Sequence, residues 1–509
     1  MKRIALLVFT ALVALTPVAA AQVRTDSAAG GARPLSLEEA VSRALDESEA
    51  VGIAEAGVLD ARGRQSQARS GYFPQLAGSA AYQRTLASQF SGLQSDEDEE
   101  PVDPAPSFCE EFVPDPSLPV DQRIDALEQT VECLSTVNPF AAFSDLPFGR
   151  ENQWSFGLSL TQNLFTGGRL RAQNRIAGAT RRSAEIEVDA QEAQALLDVV
   201  QAYYDAALAQ RLVAIAETSL TQAERTLGET RLAFEVGTAA EFDLLRAQVS
   251  RDNLRPTLIQ SAADRRVAEL RLKQLLDLPL ADSLVLTTSL GDTTEMDTTA
   301  VPELPPAIQA VATEAAEAEE RAAVRQAAEA VTASEGAVTV AGSQRWPTLT
   351  LSSQYARIGF PDRIFPEAWN QFVDDWTLTV QATLPIFTGG RIKGDRMVAE
   401  AGLDQARLRL RQTQELAAID EQSTQAQLEA AQAAWEASTG TVAQARRAYD
   451  IAEVRYRNGL STQTELSESR LLLQQARTNR ARAARDLQVA RTRMALLPLL
   501  PLGAGGQGG

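Results

Sequence analysis

Two hydrophobic rhythms share this chain, one of period two and one of three to four. The period-two runs are Trp154–Arg169, WSFGLSLTQNLFTGGR, and Trp376–Arg391, WTLTVQATLPIFTGGR, 222 positions apart. In the first, Trp154, Phe156, Leu158 and Leu160 alternate with Ser155, Gly157, Ser159 and Thr161. In the second, Trp376, Leu378, Val380, Ala382 and Leu384 alternate with Thr377, Thr379, Gln381 and Thr383. Such alternation puts an oily row and a wet row on opposite faces of a strand. A shorter alternating run precedes each. Leu76, Gly78, Ala80 and Tyr82 follow Phe73-Pro74, and Leu349, Leu351, Ser353 and Tyr355 follow Trp346-Pro347, 273 positions later. Four strands are predicted, over about 74–85, 152–164, 347–358 and 374–386.

The remainder reads as helix. Residues 34–71 form one, with Ser36 and Glu39 at capping-box spacing. It gives way at Gly71-Tyr72-Phe73-Pro74, since the residue before proline is pushed out of the α region. A helix over 169–236 has no proline; at 1.5 Å per residue it would measure about 100 Å. Its Leu197, Val200, Tyr204, Leu208, Leu212 and Ile215 form one stripe. After Gly237-Thr238 a helix over 240–277 contains Pro256, which should bend or loosen it. Residues 278–305 read as an irregular linker with at most one short strand, Ser283–Thr288. The plan then repeats, with helices over 306–342, 391–457 and 462–496 and a turn at Asn458-Gly459. In the second long helix Leu428, Trp435, Val442, Tyr449 and Tyr456 recur every seven residues, the period of near-parallel supercoiled helices.

The offset between halves is 273 before the first inter-strand loop and 222 after it. The difference of 51 is the extra length of that loop, 86–151, over its counterpart. One duplication plus one insertion therefore gives a first repeat over 22–277, a linker over 278–305, a second repeat over 306–497 and a tail over 498–509. The inserted loop is acidic from Asp96 to Glu100, rich in proline, and holds one helical candidate, Val120–Cys133. Cys109 and Cys133 lie within it. A disulfide suits an exported chain, with two free thiols as the alternative.

Export itself is read from residues 1–21, where Lys2 and Arg3 precede an apolar run and Ala19-Ala20-Ala21. The other reading, a membrane anchor, needs roughly 20 apolar residues, more than this run has. No later stretch is long enough to span a bilayer as a helix, so any membrane insertion would use strands closed into a barrel. The net charge of −19 argues against nucleic acid as a partner. With no histidine in the chain, imidazole-based catalysis and His-ligated metal sites are excluded. No nucleophile–base set or cofactor loop appears, so no enzyme, cofactor or metal is expected.

Four strands cannot close a barrel, since membrane barrels begin at about 8 strands. Two copies would reach that number with a filled interior, and three would give about 12 strands and leave a passage. The polar rows suit a wet lumen. The apolar rows carry Trp154, Trp376, Tyr82 and Tyr355 near the loop ends, as an interfacial aromatic girdle requires. The fold class expected is mainly α with a membrane β-barrel portion. Each protomer would be a rod of helices with four strands at one tip.

With these features the chain resembles the TolC-like outer-membrane efflux protein family. The likeness covers the duplicated strand pairs, the F-T-G-G-R after each second strand, and the segments RLAFEVGTAAEFDLL (231–245) and EVRYRNGLSTQTELSE (453–468). It implies a homotrimer whose protomers each supply four strands of a barrel of about 12 strands in the outer membrane, a long antiparallel α-helical coiled-coil barrel as the periplasmic tunnel, and an exit duct for efflux or type I protein secretion. Partners implied are a periplasmic adaptor, an inner-membrane pump and outer-membrane lipid. By the same likeness, Gly237 and Gly459 mark the periplasmic helix tips where an adaptor docks. Asp243 and Tyr456 match a pair that holds the entrance closed, and Glu465 and Glu468 match a carboxylate selectivity ring. Ser461 stands where some members carry an arginine of that latch. Gly167, Gly168 and Arg169, with Gly389, Gly390 and Arg391, become junctions between lipid-embedded strand and periplasmic helix. A trimeric coiled-coil adhesin or stalk is the rival from another class; it would share the rods and export signal but not the duplicated strand pairs.

Overall fold

The computed structural model describes residues 33–86, 109, 112–136, 151–288, 290, 306, 308, 309, 313, 320–361, 363–366 and 372–503. The export signal, the acidic run Asp96–Glu100, most of the linker and the end of the tail lie outside the described residues. In chain order the elements are β1 (Arg33–Leu35), α1 (Leu37–Glu47), α2 (Glu49–Ser70), β2 (Gln75–Arg84), α3 (Val120–Thr136), β3 (Asn152–Phe165) and α4 (Arg169–Glu235). Then follow α5 (Glu241–Leu275), β4 (Leu284–Leu286), α6 (Ala322–Ser343), β5 (Thr348–Gly359), β6 (Phe372–Thr383), α7 (Arg391–Arg457) and α8 (Gln463–Leu496). Among the described residues no helix is long and apolar enough to cross a membrane.

Several expectations are corrected in detail. The helix expected over 34–71 is strand β1 followed by two helices. Ser48 adopts an extended backbone between them, and its hydroxyl accepts from Val51 N–H, so a mid-pattern serine serves as a cap. The helix expected over 306–342 is interrupted at Glu320 and Arg321, and α6 begins at Ala322. There Ala322 N–H donates to Pro498 O (2.9 Å) and Arg321 donates to Asp420 Oδ2 (2.7 Å) and Leu500 O, tertiary bonds the local pattern cannot announce. Helix α5 continues through Pro256, where a missing donor falls on an exposed stretch of the helix. Strand β6 stops at Thr383 because Pro385 cannot donate to a ladder. In β3, Leu164 is an extra residue: Asn163 pairs with Thr350 and Phe165 with Leu349, a bulge that returns Phe165 to the apolar face.

The chain divides into two compact units that do not follow the sequence repeats: residues 1–56, 185–325 and 412–509 in one, and 57–184 and 326–411 in the other. Both long helices contribute to both.

The second unit holds the antiparallel sheet, in order β2-β3-β5-β6. The register decides which side chains share a face. Tyr82 stands opposite Trp154, Leu158 opposite Tyr355, and Tyr355 opposite Trp376, all on one side with Leu76, Phe156, Leu351, Leu378 and Val380. On the other side run cross-strand rows such as Gln75, Thr161, Ser352 and Thr379, then Ala77, Ser159, Gln354 and Thr377. The apolar side is open: Trp376 is 76% exposed and Leu378 70%. Its aromatic groups cluster at the loop end, with ring centroids 5.0 Å apart for Tyr82–Trp154 and 6.0 Å for Trp154–Phe156. Their polar ends are satisfied locally, Trp154 Nε1 donating to Ile364 O (2.7 Å) and Tyr82 to Asn152 (2.8 Å). The inserted loop contributes α3, to which Cys109 is joined by a disulfide at Cys133.

In the first unit β1 and β4 pair in parallel. Pro34 lacks a donor, so Arg33 N–H donates to Ser283 O and Leu35 O accepts from Thr287 N–H. Over this small sheet lies the main apolar core, built on Leu196, Val199, Val200, Tyr203 and Tyr204 of α4 with Leu35 and Val41. Tyr203, fully buried, donates to Leu35 O (3.0 Å) and accepts from Thr288 N–H (2.9 Å).

Candidate gate and strand–helix junctions

The two tip turns, both in the first unit, are the same motif. At the end of α4, Gly237 has φ +80°, Gly237 N–H donates to Phe234 O and Thr238 N–H to Ala233 O. At the end of α7, Gly459 has φ +71°, with Gly459 N–H on Tyr456 O and Leu460 N–H on Arg455 O. These paired bonds are a Schellman cap, which needs a left-handed residue and so favours glycine.

The next helices begin differently. Ala240 offers α5 no side-chain cap, whereas the Thr462 hydroxyl accepts from Glu465 N–H at the start of α8. Glu465 occupies the third position of that helix, where a carboxylate also meets the positive end of the helix dipole. Glu468 lies three residues on, and both are exposed. At the repeat offset Asp243 and Arg246 occupy the corresponding places of the first tip. Arg246 there lies 5.7 Å from the ring of Phe242.

Around the second tip Tyr449, Ala452, Leu466 and Leu473 form a small buried cluster against which Tyr456 packs. The Tyr456 hydroxyl bonds to Thr230 Oγ1 (2.9 Å), and that is where its hydrogen bond goes in the protomer. Asp243 is tied in by its backbone instead. Gln463 is 3% exposed; with its amide turned to suit its neighbours it donates to Asp243 O (3.0 Å) and accepts from Ala247 N–H (2.9 Å). About two turns further along α8, buried Arg470 donates to Ser250 Oγ (2.5 Å), a second bridge from α8 to α5. Burial pushes the Arg470 guanidinium below its ordinary value, opposed by Tyr449 beside it. Burial likewise pushes the Tyr449 hydroxyl up, with Glu453 adding to the effect. Ser461 Oγ is buried without a hydrogen-bond partner.

Sequence reasoning named Asp243, Tyr456, Glu465 and Glu468 but missed Thr230, Gln463 and Arg470. Nothing local marks Thr230, 226 positions from its partner. Gln463 carried one signal, its place directly after the capping Thr462.

In the second unit the two F-T-G-G-R segments fold alike. Gly167 and Gly168 have φ +60° and +88°, and Gly389 and Gly390 have +58° and +88°. Arg169 N–H closes onto Thr166 O (3.1 Å) and Arg391 N–H onto Thr388 O (3.0 Å). Two left-handed residues in succession turn an extended strand into a helix, which is why both positions are glycine. Arg391 donates to Gln344 Oε1 (2.7 Å), joining the start of α7 to the residues after α6.

A family described as outer membrane efflux protein matches residues 142–277 and 315–497, more than half of the chain. Nodulation protein T of Rhizobium leguminosarum bv. viciae is 27% identical over 248 residues, 48% of each chain. Outer membrane efflux protein BepC of Brucella suis is 27% identical over 303 residues, 58% of this chain and 60% of its own. The matched stretches thus span about half to three fifths of those relatives. The CmeC outer membrane channel of Campylobacter jejuni superposes with a TM-score of 0.67 at 16% identity, covering 92% of this chain and 86% of that one. The duplicated strand pairs, the paired glycine junctions and the family match agree: the chain belongs to the outer membrane efflux protein family, and its place is the outer membrane.

Proposed function

We propose that the protein is the exit duct of a tripartite efflux pump, conducting substrates passively from periplasm to exterior as a homotrimer. The observation that carries this reading is the sheet. One face is polar row after row, the other is apolar and open, and strands β2 and β6 present unpaired edges. An isolated sheet of this kind exposes edges that would pair with any partner. Three copies joined edge to edge give about 12 strands, a lipid-facing exterior and a wet lumen. Duct activity, rather than catalysis, is what such an architecture supplies. The two sequence repeats, 22–277 and 306–497, are the units that alternate around the ring.

On this reading the tips at Gly237 and Gly459 form the periplasmic entrance and the docking place of an adaptor, which links the duct to an inner-membrane pump. The Asp243–Tyr456 neighbourhood keeps that entrance narrow, and Arg169 and Arg391 sit below the membrane at the strand–helix junctions. Glu465 and Glu468 from each copy converge as a ring of carboxylates that favours cations. Purified protein in planar bilayers should give discrete, cation-selective conductance. Glu465→Gln together with Glu468→Gln should lower the cation-to-anion permeability ratio without abolishing conductance. Channels of unchanged selectivity would remove the ring from this picture, and absence of any conductance would remove the duct.

A further inference from the structure

The duplication can be followed contact by contact in the second unit, and it leaves one junction unfilled. Gly336 of α6 receives Ile176 of α4: a Cβ there would lie 2.5 Å from Ile176 Cγ1 and 3.3 Å from Ala172 O. Just after β3, Gly167 lies beneath Trp346, where a Cβ would come within 2.7 Å of Trp346 Cβ and 2.8 Å of Ser343 O. The turn after α2 meets α4 in the same way, Gly71 against Leu170, and the start of α7 reaches the residues after α6 through Arg391 and Gln344. The helices thus follow one another in the same order as the strands they lead into or out of.

The repeat offsets turn the first contacts into a second set. Gly336 corresponds to Gly63 in α2, and Ile176 to Val398 in α7; Trp346 corresponds to Phe73, and Gly167 to Gly389. Every member of the second set is bare. Nothing lies within 4 Å of a Cβ at Gly63 or at Gly389, Val398 is 74% exposed and Phe73 64%. Ile386 and Phe387, just before Gly389, are 95% and 90% exposed. Yet Gly389 holds the same φ as Gly167, +58° against +60°, so the receiving backbone is already shaped. Within one copy both the Gly63 notch and the Val398 side chain that corresponds to Ile176 go unfilled.

We infer that a second copy of this chain fills the junction: Val398 of one copy seats in the Gly63 notch of the next, whose Phe73 covers Gly389 of the first. The contact is head-to-tail, the kind of interface that builds a ring when the rotation between copies closes. This inference rests on the homotrimer proposed above and goes beyond it by naming the side chains that lock neighbours together.

The test uses the full-length protein in outer-membrane vesicles. A Gly63→Cys/Val398→Cys pair treated with a short bis-maleimide should give covalent dimers and trimers on fully denaturing gels. Each single variant should stay at monomer mass. The internal counterpart Ile176→Cys/Gly336→Cys should react within one chain and also stay at monomer mass. Native mass spectrometry of the same preparation separates two failures. Trimers without the ladder, while the internal pair reacts, overturn this interface and leave the trimer standing; monomers overturn both. Gly63→Leu, which fills the notch, should abolish the undissociated trimer band. Gly402→Leu, at the counterpart of exposed Thr180, should retain it. A Gly63→Leu protein with an intact trimer band would count against the notch.

Discussion

Helices α4 and α7 are both 67 residues long, begin after the same glycine pair and end in the same Schellman cap, yet their middles have little in common. In α4, Leu196, Val199, Val200, Tyr203 and Tyr204 are all at most 2% exposed. At the repeat offset α7 carries Ala418, Glu421, Gln422, Gln425 and Ala426, all exposed in the protomer. Turn residues and length survived duplication; the oily centre did not. The reason lies in what covers it, because β1, α1 and β4 pack onto α4, with Tyr203 bonded to Leu35 of β1 and to Thr288 just after β4. Apolar residues on α7 fall elsewhere, in the heptad stripe through Trp435 and Tyr449, where Arg480 stacks over the Trp435 ring at 3.6 Å. The duplicated scaffold is one property of the sequence and the location of the core is another.

The largest effect should follow from truncating the oily centre. Leu196→Ala should cost about 2–5 kcal/mol, read as a lowered apparent midpoint of denaturant or thermal unfolding in detergent. Gln422→Ala, at the counterpart of Val200, should stay within about 0.5 kcal/mol. Equal losses at the two positions would dissolve the contrast between the helices.

Much of the scaffold was legible in the sequence because it depends on local rules. Period-two alternation from Trp154 and Trp376 marked strands whose register then sorted polar from apolar rows. The glycines of F-T-G-G-R and of the tips marked places where only a left-handed backbone continues the chain. What stayed hidden depends on tertiary partners: the break before α6, fixed by Arg321 on Asp420, and the parallel pairing of β1 with β4 across the chain. The same divide runs through the candidate gate. Glu465 and Glu468 were named through the family resemblance, whereas Thr230 and Gln463 gain their partners only once distant helix ends have met.

A smaller and pH-dependent difference comes from Tyr204. Burial, with Tyr203 beside it, pushes its hydroxyl up to about 12. The folded value exceeds the unfolded one of about 10, so the neutral form is favoured in the fold. Its contribution is fully present below pH ~10 and is lost as pH rises towards ~12, on the order of 2–3 kcal/mol across that window. Tyr204→Phe should flatten the fall in unfolding midpoint over that range, and its counterpart Ala426 has nothing to titrate. A Tyr204→Phe protein with an unchanged alkaline profile would assign the loss to other groups.

The smallest effect is expected where the helices are alike. Gly237→Ala and Gly459→Ala each force a side chain into the left-handed region, at about 1 kcal/mol. Nothing lies within 4 Å of a Cβ at either position, so the penalty is the backbone's alone and should be equal at the two tips. The comparison is sensitive because the side-chain ties differ: the first tip has Thr238 Oγ1 donating to Ala233 O (3.0 Å), and the second has Asn458 Nδ2 donating to Val454 O (2.8 Å) and Arg455 donating to Leu460 O (3.3 Å) across the turn. If the Arg455 tie stiffens the turn, Gly459→Ala will lower the unfolding midpoint more than Gly237→Ala, and Arg455→Ala will erase the excess. Equal shifts would mean that the tips are interchangeable as turns. Any difference between the repeats at these tips would then rest with the side chains that follow, Asp243 and Arg246 in one and Glu465 and Glu468 in the other.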